Sequence, residues 1–290
     1  MEQQTFQRNF TSVSPSARWM MLWKGYTDIP YAREVAELLE YPNPYVPDFK
    51  RRDYTFWAST PGLEGRYRSI DLLLNELDSP NILELSSGYS FRSLDFARQK
   101  GVHYIDTDLP EVIAVRKEFL HKLVKEDSFG GGKLELLPLN ALDENAFRKI
   151  ADHFPLGEVT IVNEGLLGYL NHKEKEQLCS IIHAVLKERG GYWITADIHL
   201  RNFATKLGLQ YSEEVRKFNE QQQTNENNFE SFRQAELFFN SMGFVIDKVA
   251  KLKYSELSSF KFMIRSLTLR QLFKVRKGRE IQATWRLRAV

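Results

Sequence analysis

Three short stretches put polar groups directly after apolar runs, which is where a folded α/β chain does its chemistry. In the first, the mostly apolar residues 81 to 85 run into Ser86-Ser87-Gly88-Tyr89-Ser90. Small serines let a ligand approach the backbone, and Gly88 can take angles closed to other residues. Glu84 lies one residue before the end of this run and Arg92 opens the next helical stretch, so residues 84 to 92 form the best local candidate. In the second, Asp106 and Asp108 follow the run 102 to 105. A carboxylate at such a strand end accepts hydrogen bonds from the ribose hydroxyls of a nucleoside. The third is Asn163-Glu164-Gly165 after the β-branched run 159 to 162, where Glu164 either faces the same crevice or caps a helix.

These residues need a scaffold that gathers strand ends, and the apolar pattern supplies one. Ile70, Leu73, Leu74 and Leu77 follow the i, i+3, i+4, i+7 spacing and predict a helix over 66 to 77, ended by Pro80. Strands are expected at 81 to 85, 102 to 105, 134 to 137, 159 to 162 and 192 to 196. Helical stretches fall between them, through Phe96, over 111 to 125, and around Leu178, Ile181, Ile182 and Val185 up to Gly190-Gly191. Gly130-Gly131-Gly132 marks a turn. Phe232, Ala235 and Phe239 restore helical spacing before the last strands at 244 to 249 and 284 to 290. Strands alternating with helices imply an α/β fold, a doubly wound and mostly parallel sheet covered on both faces. One domain spanning 1 to 290 is expected, with a helical extension over 1 to 65. The polar segment 198 to 230, which carries Gln221-Gln222-Gln223, is expected to form a lid or substrate-side insertion.

Bulk properties exclude several classes. The 290 residues are 42% hydrophobic and 27% charged, ordinary for a globular protein, and no apolar run approaches the roughly 20 residues of a membrane span. The N-terminus, Met1-Glu2-Gln3-Gln4, does not read as a secretory signal. A lone cysteine, Cys179, cannot form an internal disulfide and suits a reducing, cytoplasmic setting. Net charge is only +2, although Arg270, Lys274, Arg276, Lys277 and Arg279 cluster in a basic stretch that reads either as a solvated loop or as a contact for an anion. The six histidines show no metal-ligand spacing.

Three motifs taken together resemble the leucine carboxyl methyltransferase family and its bacterial small-molecule O-methyltransferase relatives. They are Ile82-Leu83-Glu84-Leu85-Ser86-Ser87-Gly88-Tyr89-Ser90-Phe91-Arg92, Tyr104-Ile105-Asp106-Thr107-Asp108-Leu109-Pro110 and Asn163-Glu164-Gly165-Leu166-Leu167-Gly168-Tyr169-Leu170. Lys24-Gly25-Tyr26-Thr27-Asp28-Ile29-Pro30-Tyr31 looks like the N-terminal segment of the eukaryotic members. The resemblance covers residues 16 to 197. It implies the class I adenosylmethionine-dependent methyltransferase fold, with an antiparallel C-terminal strand, and S-adenosyl-L-methionine as cofactor. It sets Arg18 and one of Arg66 or Arg68 near the methionine carboxylate, Gly88 beneath the methionine, and Asp108, with help from Asp106, on the ribose. Asn140 and Ala141 would meet the adenine, and Glu164 the methionine end. Ser86 stands where the family generally has glycine, and Asn140 where it has an acid.

The reaction so implied is methyl transfer to an oxygen, with a small-molecule carboxylate or hydroxyl as acceptor. A protein C-terminal carboxylate and a modified tRNA are the other acceptors known in the family. Tyr169, His172, His199 and Arg201 are the substrate-side candidates, with His172 and His199 read more simply as surface or structural residues. No proton-abstracting constellation is legible, which suits a carboxylate, already ionised near neutral pH. The competing readings are a nicotinamide oxidoreductase, disfavoured by the missing G-x-G-x-x-G fingerprint, and an inactive metabolite-binding protein.

Overall fold

The computed structural model describes residues 14–51, 53–124, 131–267 and 281–290. The apolar runs become the strands of one seven-stranded sheet, ordered β3-β2-β1-β4-β5-β7-β6. These are β1 (Asn81–Leu85), β2 (His103–Asp108), β3 (Lys133–Pro138), β4 (Val159–Asn163), β5 (Gly191–His199), β6 (Phe244–Val249) and β7 (Gln282–Ala289). The first five pair in parallel, and β7 runs antiparallel to both β5 and β6.

Twelve α-helices connect and flank the strands among the described residues. Three precede the sheet: α1 (Ser14–Lys24), α2 (Ala32–Glu40) and α3 (Tyr54–Leu74). Four lie between its parallel strands: α4 (Arg92–Phe96), α5 (Pro110–Leu123), α6 (Glu144–Ala151) and α7 (His172–Arg189). The remainder are α8 (Phe203–Leu207), α9 (Glu213–Gln221), α10 (Thr224–Asn227), α11 (Phe232–Ser241) and α12 (Phe260–Ser266).

Strand periodicity divides the core. Ile82, Tyr104, Val162 and Ile194 point to the face covered by Ile70, Leu73 and Leu74 of α3. Leu83, Ile105, Ile161 and Trp193 point to the opposite face, packed by Phe147 of α6, Leu178 and Ile182 of α7, and Phe239 of α11. Burial on both faces explains why these strands read as apolar runs rather than as alternating ones. A third cluster joins α1, α2 and α5 through Met21, Val35 and Phe119.

Two elements depart from the pattern read in the sequence. The helix expected over 66 to 77 begins at Tyr54 and ends at Leu74, so residue 65 lies within it rather than at the edge of an extension. Asp53 starts it by accepting a hydrogen bond from the Phe56 backbone N–H, and Pro61 is carried inside. The helix α6 was not expected from the periodicity. It is set by Asp143, whose side chain accepts from Ala146 N–H. The segment 198 to 230 is helical in three short pieces, α8, α9 and α10. The glycine turn at 130 to 132 and the basic stretch from Arg270 to Arg279 fall wholly or partly outside the described residues.

Among the described residues no helix is long and apolar enough to cross a membrane, and no cluster of His, Cys, Asp or Glu is arranged to hold a metal.

Candidate functional site

The carboxyl ends of β1, β2 and β4 open on one cleft, lined by Glu84, Ser86, Gly88, Asp108, Asn140, Ala141, Glu164 and Tyr169, with Ser16, Met20 and Lys24 of α1 as its outer wall. It is narrow, about 120 Å³.

The turn after β1 makes one end of the cleft. Gly88 is left-handed (φ 55°), and so is Ser86 (φ 51°), a conformation that costs an L-residue roughly 1–2 kcal/mol. The turn is clamped from below by Arg116 of α5. Its Nη1 donates to the Gly88 carbonyl at 2.8 Å and also reaches the Ser90 carbonyl. Its Nη2 pairs with Asp106, wholly buried. Asp106 also accepts from the Ser93 hydroxyl. It is therefore occupied in bracing the turn and does not line the cleft, because its carboxylate is spent on Arg116. Asp108 does line it. Its two oxygens accept from the Gly88 and Leu109 backbone N–H groups, each at 2.7 Å, which leaves lone pairs for two further donors. Burial raises its pKa despite those bonds.

A buried charge cluster makes the other end. Glu164 receives Lys24 Nζ at 2.8 Å, Arg66 Nη2 at 3.2 Å and Arg92 Nη2 at 3.2 Å. Burial works against the Glu164 carboxylate, but Lys24, Arg66 and Arg92 outweigh it and hold its pKa down to about 2. Burial lowers the Lys24 pKa, with Arg66 and Arg92 adding to it, although Glu164 pulls the other way. Arg92 is further held by Asp71 and lies over the Tyr67 ring at 3.9 Å. Glu84, beneath the cleft, accepts from the Tyr104 hydroxyl at 2.5 Å. Arg66 Nε is buried with no protein partner.

The loop that presents Glu164 is shaped by Asp197 of β5. Its carboxylate accepts from the backbone N–H groups of Gly165 (2.7 Å), Leu166 (2.7 Å) and Leu167 (3.0 Å) and from the Asn163 amide (2.7 Å). Asn163 in turn accepts from the Trp193 indole at 2.7 Å.

The structure thus gathers Arg66, Glu84, Gly88, Asp108, Asn140, Ala141, Glu164 and Tyr169 around the cleft. It does not gather Arg18, Arg68, Asp106 or Arg201. Arg18 turns to the Leu39 carbonyl and to Glu40 on α2, and Arg68 pairs with Asp28 at 2.8 Å near the surface. Arg201 ties down 226 to 230 by donating to the Glu226 and Asn228 carbonyls and pairing with Glu230. His172 is exposed beside Glu176. His199 lies in a second, larger cavity described below. Lys24, Arg92, Arg116 and Asp197 were not singled out for these roles in the sequence. Lys24 and Arg92 lay within quoted motifs; Arg116 and Asp197 are defined by partners distant along the chain.

Two measurements follow. Asp108→Ala should keep the fold and weaken a nucleoside ligand by roughly 1.5–3 kcal/mol, the worth of hydrogen bonds to a charged group. Calorimetric affinity unchanged from the parent would make Asp108 only a brace for Gly88. Ser86→Gly should raise the denaturation midpoint slightly. Relief of about 1–2 kcal/mol of left-handed strain is offset by about 0.4–1 kcal/mol of added freedom in the unfolded chain. A clear loss of stability would mean that the Ser86 side chain holds the turn.

No family model matches the chain, and no curated protein matches it either. Solved structures do. Magnesium protoporphyrin IX methyltransferase from Synechocystis PCC 6803, with bound SAH, aligns over 98% of both chains at a TM-score of 0.52 and 8% identity. The mitomycin 7-O-methyltransferase MmcR aligns at 0.47 and 12% identity over 93% of this chain and 60% of its own. A pericyclic reaction enzyme aligns at 0.45 and 9% identity over 74% of this chain and 44% of its own, so the chain spans less than half of that protein. The fold is that of the class I S-adenosylmethionine-dependent methyltransferases.

Proposed function

We propose that the chain is an S-adenosylmethionine-dependent O-methyltransferase acting on a small-molecule carboxylate or hydroxyl. The observation that carries this is the polarity of the cleft. A carboxylate, Asp108, stands beside a bare glycine at one end, and a zwitterionic cluster of Glu164, Lys24 and Arg66 stands at the other.

Adenosylmethionine has the matching layout. Asp108 would accept from the ribose hydroxyls. Glu164 would receive the amino-acid ammonium, and Arg66, whose buried Nε lacks a partner, would receive the carboxylate with Lys24. Asn140 Oδ1 accepts from Leu142 N–H at 3.1 Å and keeps a second lone pair for the adenine amine. Gly88, left-handed at φ 55°, would let the backbone approach without a side chain in the way. The bound cofactor supplies an already activated methyl group. The chain's own work is to align the acceptor and keep water out.

The motifs shared with the leucine carboxyl methyltransferases support the same reading, with Arg66 as the arginine that faces the cofactor. The buried, unpaired Cys179 suits a reducing, cytoplasmic setting. Calorimetry with adenosylmethionine, adenosylhomocysteine and reduced nicotinamide cofactors, each offered alone, tests the proposal. One site for either sulfur compound is expected. Saturable binding of the nicotinamide cofactor alone would replace the methyltransferase with an oxidoreductase.

A further inference from the structure

Beyond the cleft lies a chamber of about 1820 Å³, against the ~300–1,000 Å³ usual for a ligand pocket. Four residues, Ser16, Met20, Arg66 and Tyr169, line both spaces, so the two meet at a doorway. The chamber's walls are aromatic on several sides. Trp19 and Trp23 come from α1, Tyr54 from the start of α3, Phe203 from α8, Phe218 from α9 and Phe260 from α12. Phe218 packs edge-on against Trp19 at 5.5 Å and Tyr169 at 6.4 Å, which brings α9 to the doorway.

His199, the last residue of β5, lines this chamber. No side chain among the described residues hydrogen-bonds its ring; its ring neighbour is Phe203, 6.2 Å away. The charged groups that face it are Arg66 from α3, Asp197 from β5 and Glu164 from the loop after β4.

Resting on the methyltransferase reading, we infer that the acceptor is a flat, multi-ring aromatic small molecule whose hydroxyl hands its proton to His199 as the methyl group is transferred. Aromatic walls reward a rigid polycycle by stacking and edge contacts, and the chamber is too large for one ring to fill. Burial, together with Arg66, lowers the His199 pKa to about 4, so the imidazole is neutral at pH 7 and able to accept a proton. A base that weak suits an acidic hydroxyl, one conjugated to several rings or carbonyls, better than an aliphatic alcohol. The balance is simple. The O–H bond breaks with its proton going to a His199 nitrogen, and the oxygen's electron pair forms the bond to the methyl carbon. The carbon–sulfur pair stays on sulfur, giving adenosylhomocysteine and a methyl ether, and the imidazolium returns its proton to water. The reading revises the sequence-based preference for a carboxylate, which rested on the absence of a base.

Alizarin, a three-ring hydroxyanthraquinone whose colour reports its ionisation, is the probe. In the presence of adenosylhomocysteine it should quench tryptophan fluorescence with an affinity at least tenfold above that of phenol. Phe218→Ala should weaken it about tenfold while adenosylhomocysteine affinity is unchanged. His199→Gln should retain dye binding, displace the acid–base midpoint of the bound dye by about one pH unit, and lower kcat far more than it raises KM. Alizarin binding no better than phenol, or indifferent to Phe218→Ala, would overturn the aromatic chamber, as would preferred methylation of tRNA or of a leucine-ended peptide. An unmoved midpoint and kcat in His199→Gln would remove His199 from the chemistry. Failure of the parent protein to bind adenosylhomocysteine would instead sink the methyltransferase reading, and the methyl-transfer step with it.

Discussion

Replacing Glu164 with glutamine will lower the unfolding free energy at pH 7 by about 3 kcal/mol and weaken cofactor binding at least tenfold. The side chain keeps its size, so packing is not the cause. What changes is that Lys24, Arg66 and Arg92 lose the carboxylate that all three touch. Breaking a buried ion pair on one side costs roughly 3–5 kcal/mol, because the remaining charge stays buried and uncompensated. Asp71 and Glu84 still face Arg92, which puts the expected loss at the lower end. The pH dependence has a definite sign. Glu164 has a folded pKa of about 2 against an ordinary 4.5, so its contribution is complete above pH 4.5 and vanishes as pH falls through about 2. Urea denaturation from neutral pH downward should therefore show parent and variant separated near neutrality and converging in acid. Equal stabilities at neutral pH would mean that the cluster is already screened by water.

The second large effect belongs to a residue that does not itself line the cleft but clamps the turn that does. Arg116→Ala should destabilise the protein by roughly 3–5 kcal/mol, since Asp106 would remain as an unpaired buried carboxylate. The Gly88 and Ser90 carbonyls would lose their donor as well, so the turn that lines the cleft should loosen. Arg116→Lys restores the charge but not the fork that spans a carboxylate and carbonyls together, and should recover stability only in part. Hydrogen exchange at 86 to 90 reads the turn, and chemical denaturation reads the fold. Full recovery by lysine would show that charge alone, without geometry, holds this corner.

The sheet was legible because its central strands are buried on both faces and must be written in apolar residues. Val159, Ile161 and Val162 allow little else. The helix α6 was not, for it offers only Phe147 and Ile150 as a repeat and relies on the Asp143 cap. The front half of α3 fell in the segment expected only as a helical extension, and it carries Pro61, Gly62 and Gly65 within one helix that continues into the predicted stretch. In the site, Gly88, Asp108 and Glu164 could be found because each sits at or just past the carboxyl end of a strand. Pairings across the chain leave no such mark. Lys24 and Glu164 are 140 residues apart, and Arg92 and Glu164 are 72 apart. Arg18 and Lys24 lie on the same helix, separated by about 240° around its axis, and the sequence does not say which face meets the cleft. His199 was visible as a residue, but its place in the wall of the second cavity, away from hydrogen-bonding side chains, appears only in the fold.

The wall formed by α1 is shared between the two cavities. Ser16 and Met20 border both cavities, and Trp19 and Trp23 of the same helix stand in the chamber. A group filling the cleft and a group filling the chamber would therefore rest against one and the same helix, so Met20→Ala is expected to disturb both spaces together.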